Sequence, residues 1–170
     1  MPEPGQSYPS PEPQTGTTSG SQRQQPPVQS SSSQPTPSAN QPVVQKAPPR
    51  SAHEISSPAV MSLLGSADTL AQGGHMDAAA STLERALDLD PRNPFIYQRL
   101  AAVRLAQGQN GQAEQMAMKS NSVSNNNPFV EASNWQLIAE ARHSAGNTQG
   151  ASKAKAQAVN YRQSAAQYDQ

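Results

Sequence analysis

Three histidines, His53, His75 and His143, are the imidazoles this chain offers for acid–base or metal chemistry. They lie far apart, in a polar N-terminal stretch, in a turn and near a helix end, and no acidic residues join them at metal-ligand spacing. Cysteine is absent, which removes thiolate catalysis, disulfides and Cys-based zinc sites together. No HExxH, GxSxG, phosphate-binding loop or GxGxxG occurs. Serines are abundant, but serine abundance alone assembles no triad. The chain is expected to be no enzyme and to use no cofactor and no metal. What remains with chemical potential is two guanidinium groups, Arg104 and Arg142, whose planar forks match carboxylates.

A glycine is followed five residues later by an alanine three times: Gly74/Ala79, Gly108/Ala113 and Gly146/Ala151. Self-similarity at a period of about 34 residues marks a helical repeat array. Each glycine lies between two apolar patterns of helical spacing. Leu63, Ala67 and Leu70 precede the turn Gln72-Gly73-Gly74, where glycine takes a left-handed cap without a Cβ clash. Ala79, Leu83, Ala86 and Leu87 follow it, with Asp77 as the expected N-cap. Asp90-Pro91-Arg92-Asn93-Pro94 stops that helix. The second unit repeats the plan with Tyr97, Leu100, Ala101 and Leu105, then Gly108, then Ala113, Met116 and Ala117. Its exit, Asn125-Asn126-Asn127-Pro128, is expected to hold four extra residues as a looser loop. The third has Trp135, Ile138 and Ala139, a turn at Gly146-Asn147, and a long last helix from about Gln149. There Ala151, Ala154, Ala158, Tyr161, Ala165 and Tyr168 keep one stripe. Such a helix suits the C-terminal cap that a solenoid needs.

Composition divides the chain. Residues 1–58 hold 13 of the 16 prolines and a single aromatic, Tyr8. So little apolar surface does not offset the entropy of ordering a backbone, and this stretch is expected to be a disordered tether. Residues 59–170 are expected to form one domain, with repeats at about 60–93, 94–131 and 132–165. Charge is balanced in both parts, and the net is zero. No block of Lys and Arg is present to neutralise a row of phosphates, which argues against nucleic acid. No apolar run approaches the ~18 residues of a membrane span. Met1-Pro-Glu-Pro-Gly shows neither a charged nor an apolar signal region, which taken literally places the chain in the cytosol.

The pattern resembles the tetratricopeptide repeat, whose unit prefers particular residues at positions 4, 7, 8, 11, 15, 20, 24, 27 and 32. Counted from Val60, the first unit has Leu63, Ser66, Ala67, Leu70, Gly74, Ala79, Leu83, Ala86 and Pro91 there. Units counted from Pro94 and Ala132 keep the first half better than the second. The resemblance implies an all-α, right-handed solenoid of three helix pairs that binds a protein partner and catalyses nothing. It also implies a groove lined by the first helices. Met61, Leu64, Asp68 and Ala71 contribute from the first unit, and Phe95, Gln98, Ala102 and Leu105 from the second. Ser133, Gln136, Glu140 and His143 complete it, so that the face is apolar at one end and polar at the other. The partner-binding candidates are Phe95, Gln98, Arg104, Gln136, Glu140, Arg142 and His143.

Two readings of several of these stay open on sequence alone. Phe95 is either an aromatic anchor or a cover over the junction between units. Arg104 and Arg142, at position 11 where the family places an apolar residue, either face a partner's carboxylates or pair locally, for example with Glu114 or Glu140. Trp135 reads as core. Met116 and Met118 offer a soft contact surface, with Met116 needed as filler.

A narrower resemblance rests on the polar Pro/Ser/Gln tether, the three repeats and Asn134-Trp135-Gln136-Leu137-Ile138-Ala139-Glu140-Ala141-Arg142. These are similar to outer-membrane lipoprotein activators of the class A penicillin-binding protein 1b. That resemblance implies a periplasmic regulator, lipid-anchored through a cysteine upstream of Met1, whose partner is a peptidoglycan synthase. The alternative is a cytosolic adaptor or assembly chaperone taking a peptide or helix in the groove.

Overall fold

The computed structural model describes residues 46–170; the expected tether lies, up to residue 45, outside the described residues. Among the described residues six α-helices follow one another: α1 (Pro58–Gln72), α2 (Met76–Leu89), α3 (Pro94–Ala106), α4 (Asn110–Val123), α5 (Pro128–Ser144) and α6 (Thr148–Ala166). Each helix packs on the next, and α3 also packs on α5. The result is the expected solenoid of three helix pairs, with first helices α1, α3 and α5 and second helices α2, α4 and α6.

Local sequence sets these boundaries. Ser57, Asn93 and Asn127 cap the three first helices through their side-chain oxygens. Proline follows each of them at the first helical position, where its missing N–H costs nothing. Gly74, Gly108 and Gly146 end the turns inside the pairs with φ of 80°, 73° and 81°, a region open to glycine at little cost. Asp77, expected as a cap, lies instead in the first turn of α2, because the helix begins at Met76. Its carboxylate accepts a hydrogen bond from Gln107 Nε2 at 2.6 Å, linking the first pair to the second.

Small residues let the two helices of each pair approach. Ala67, Ala101 and Ala139 on the first helices are 1%, 0% and 0% exposed, and Ala79, Ala113 and Ala151 on the second are 0%, 1% and 3%. A bulkier residue at any of these sites would hold the axes apart. The remaining volume is filled unevenly along the solenoid. Val60, Leu64, Leu83, Phe95, Ile96, Leu100, Val103 and Val130 build a large apolar core through the first two pairs and the start of α5. The core of the third pair is slighter: Ile138 with Ala101, Ala117, Ala139 and Ala154, flanked by Met116, Trp135 and Leu137. Every buried residue of α6 is alanine. That pair therefore relies on close backbone approach and on polar ties more than on apolar mass.

Two features depart from the sequence expectation. The loops 90–93 and 124–127 are equally long, so the four extra residues of the second interval do not loosen a loop. They add one turn to the start of α5, which has 17 residues against 13 in α3. Asn125 and Asn126 still take left-handed conformations, with φ of 54° and 57°, which asparagine tolerates better than most residues. The second departure concerns residues 46–57, placed by composition in the tether. They lie against the domain, with a short 3₁₀ turn at Ala52–Glu54 and Ala52 only 2% exposed within the first core. Packed structure thus begins about a dozen residues before the boundary that proline content suggests, because a few specific contacts outweigh a generally polar composition.

Candidate partner-binding groove

The first helices present two pockets. One, of about 180 Å³, is lined by Ala67, Asp68 and Ala71 of α1, Met76 and Leu83 of α2, and Arg99, Ala102, Val103 and Ala106 of α3. Its walls are apolar, and its polar feature is one ion pair: Arg99 Nε donates to the two carboxylate oxygens of Asp68 at 3.2 and 3.3 Å. The pair spans α1 and α3 and is partly exposed.

The other pocket, of about 410 Å³, lies at the third unit and is polar. Leu105 of α3, Gln136, Ala139, Glu140, His143 and Ser144 of α5, and Lys155 of α6 line it. Gln136 is held in one orientation by its neighbours. Arg162 Nη2 donates to its Oε1 at 3.1 Å, and its own Nε2 donates to Glu140 Oε1 at 3.1 Å. Glu140 and His143 are exposed, one turn apart on the same face of α5. Lys155 projects from α6 at the position that carries Leu83 in the first unit, where a large apolar residue would fill a junction. The groove therefore runs from an apolar end with a neutralised ion pair to a polar end with a carboxylate, an imidazole and an ammonium group.

Of the seven candidates from sequence, the structure brings three together here: Gln136, Glu140 and His143. The other four are placed otherwise. Phe95 is 4% exposed, in the first core, because the second residue of α3 turns inward over the junction between units; it offers no ring to a partner. Leu64, expected on the groove, is likewise buried, at 1%. Gln98 donates from Nε2 to Asn134 Oδ1 at 3.3 Å, and Asn134 Nδ2 donates to Asn121 Oδ1 at 2.7 Å. This amide ladder joins α3, α5 and α4 around a fully buried asparagine.

Arg104 and Arg142 pair within the chain. Arg104 Nη2 donates to Glu84 Oε1 at 2.7 Å, and its Nη1 reaches Gln107 and Gln109, each at 3.2 Å. Arg142 donates to Glu114 Oε1 from Nε at 3.0 Å and Nη2 at 2.6 Å, and from Nη1 to the Gly150 carbonyl at 3.3 Å. Each arginine thus ties its helix to the second helix of the preceding unit and to the turn or helix that follows. Both forks are occupied by local acceptors, the arrangement that the local-pairing reading calls for.

Two polar groups of this region escaped the sequence reading. Glu131, in the extra turn of α5, is 6% exposed. It faces Tyr161, and hydrogen bonding to that carboxylate, then burial and its charge, raise the phenol above its usual value near 10. Asn134 is the other. Neither belongs to a repeat-specific position, so only their contacts reveal them. Among the described residues no group of three His, Asp or Glu side chains is placed to hold a metal ion. No helix among them is long and apolar enough to cross a membrane.

Residues 70–121 match the family model described as tetratricopeptide repeat. The globular C-terminal domain of LpoP from P. aeruginosa is similar at 40% sequence identity with a TM-score of 0.60, over 61% of this chain and 98% of that one. The Sgt2 tetratricopeptide domain from Aspergillus fumigatus is 21% identical with a TM-score of 0.57, over 68% of this chain and 69% of that one. The type III secretion translocator chaperone SycD of Yersinia enterocolitica is 22% identical with a TM-score of 0.56, over 64% and 79%. These last two share the fold alone. No curated protein matches the sequence. Repeat pattern, helix-pair architecture and the extent of the LpoP match agree: the chain belongs to the tetratricopeptide repeat proteins, in the family of the LpoP C-terminal domain.

Proposed function

We propose that this chain is a tethered regulator that binds and activates a bifunctional peptidoglycan synthase, a class A penicillin-binding protein. The observation that carries the reading is the 40% identity to the LpoP domain over 98% of its length, joined to what the resemblance to lipoprotein activators implies. In this reading the domain works in the periplasm, held to the outer membrane through a lipid anchor at the start of the tether. The polar end of the groove, with Gln136, Glu140 and His143 and with Leu105 and Lys155 beside them, takes a charged and polar surface of the synthase. Arg104, Arg142 and Gln98 contribute indirectly by fixing the helices that present those groups.

The mechanism is a shift of population. A domain that binds the active conformation of the synthase more tightly than the resting one raises the active fraction by the ratio of the two affinities. No group of the domain enters the chemistry. The test is glycan-strand polymerisation by a purified class A penicillin-binding protein with and without the full chain. Stimulation that Glu140→Lys weakens supports the proposal. Absence of both stimulation and binding removes it and favours an adaptor or chaperone of another partner.

A further inference from the structure

Solenoid repeats ordinarily touch only their neighbours, so one end of the array has no direct hold on the other. Residues 46–57 break that rule. Starting from the first helix pair, Ala52 is buried among Val60, Leu64 and their neighbours. Ser56 accepts a 2.7 Å hydrogen bond from Nδ2 of Asn93, the cap of α3. The Pro49 carbonyl accepts one of 2.6 Å from Nδ2 of Asn127, the cap of α5. Both asparagines thus cap a first helix with the oxygen of their amide and hold this segment with the nitrogen.

Arg50 then reaches the far end of the domain. Its guanidinium lies 4.4 Å from the centre of the Phe129 ring and pairs with the Asp169 carboxylate at 2.5 Å. Its Nη2 also donates to the Tyr168 carbonyl at 3.4 Å. The Tyr168 ring packs on Phe129, with centroids 6.1 Å apart. The segment is itself shaped by Glu54, whose carboxylate accepts from the Arg50 and Ser51 amides at 2.8 and 3.1 Å.

We infer that residues 47–57 are a clasp closing the first helix pair onto the third, and that Arg50 is its latch. The third pair gains most, since its buried residues on α6 are all alanine and its apolar core is slight. The order of contacts gives the latch a mechanical place. Chain arriving from residue 46 meets Pro49 and Arg50 before Ala52 and Ser56, so a pull on the preceding segment loads the third pair first and the first pair last. Opening the latch loosens α5 and α6, the helices that carry the polar end of the groove. The clasp is a property of this chain whatever partner that groove takes.

Limited trypsin digestion of the full chain under native conditions tests the inference without any partner. Lys46 and Arg50 lie four residues apart and precede Ala47 and Ser51, so sequence alone makes both cleavable. Lys46 is exposed and makes no side-chain bond among the described residues, whereas the Arg50 side chain is engaged. The expected result is cleavage at Lys46 about tenfold faster than at Arg50, as the rate follows the population of the open segment. In Asp169→Asn that ratio falls about fivefold, and amide exchange accelerates in 128–131 and in 164–168 while α1 is unchanged. Asp169 is exposed at the end of the chain, so the variant keeps the fold. Equal cleavage at the two sites in the wild type overturns the latch. Faster cleavage at Arg50 in Asp169→Asn with unchanged exchange in α5 and α6 overturns the clasp, leaving a passive strap.

Discussion

Replacing Arg142 by alanine separates the scaffold role of that side chain from a partner-facing one. The change removes two charge-assisted hydrogen bonds to one oxygen of Glu114, at 3.0 and 2.6 Å, and a third of 3.3 Å to the Gly150 carbonyl. Bonds to charged groups contribute about 1.5–3 kcal/mol when one partner is lost. Here the pair is only partly shielded, with side chains 24% and 32% exposed, and exposed pairs contribute about 0.2–1 kcal/mol. An intermediate loss of about 1.5 kcal/mol follows. For a folded part of roughly 125 residues, an unfolding entropy near 2.1 cal/mol/K per residue turns that into about 6 °C in Tm. The assay is urea unfolding of the full chain, the two single variants Arg142→Ala and Glu114→Ala, and the double variant. A coupling energy of about 1 kcal/mol at unchanged m is expected, because the two side chains meet each other directly. Coupling below about 0.3 kcal/mol, with partner binding abolished by Arg142→Ala, would refute the scaffold role.

Further outcomes follow from the packing. Ile138→Ala, at a side chain with no exposure, is expected to cost about 2–5 kcal/mol in denaturant unfolding, since the alanines around it cannot close the cavity. Gly108→Ala meets no atom within 4 Å, so its cost is the left-handed backbone alone; about 1–2 kcal/mol is expected, and a neutral result would show that the turn relaxes. Asn127→Ala removes an N-cap and the hold on Pro49, and is expected to lower stability by about 1–2 kcal/mol while exposing Arg50 to trypsin. Tyr161 has a raised pKa in the folded state, so its contribution is complete below pH 10 and is lost as pH rises through the folded value. Tyr161→Phe should flatten the alkaline decline of stability, as read by unfolding at a series of pH values.

Much of the scaffold was legible because it depends on residues with few alternatives. Gly74, Gly108 and Gly146 stand where φ is positive, and small residues recur where helices cross, so spacing alone located the turns and the pairs. The extra turn of α5 was harder to see. Counting from glycine to glycine puts four surplus residues somewhere in the second interval without saying where. The triplet Asn-Pro-Phe at 93–95 and again at 127–129, 34 residues apart, carries the answer, because each copy caps and starts a first helix.

The groove was half legible. Gln136, Glu140 and His143 face it as the resemblance implied, since α5 presents them on its exposed side. Phe95 and Leu64 do not, because the angle between successive units decides whether a residue on the rim turns inward, and no pattern within one unit encodes that angle. Arg104 and Arg142 occupy apolar positions of the repeat and find carboxylates at Glu84 and Glu114, in different turns of the preceding helices. A single-repeat template has no place for such pairs. The clasp was illegible for another reason: Arg50, Ala52 and Ser56 sit in a composition that argues for disorder, and the side-chain partners of Ser56 and Arg50 lie 37 and 119 residues away.

The central claim, docking of a class A penicillin-binding protein on the polar end of the groove, is tested most directly by one titration. The purified synthase is titrated with the full chain and with its Glu140→Lys variant, following both binding and glycan polymerisation. The account predicts saturable binding with a faster polymerisation rate, weakened at least about tenfold (~1.4 kcal/mol) in affinity by the charge reversal. Equal binding and stimulation by both chains would contradict the placement of the site, and no binding by either would contradict the partner.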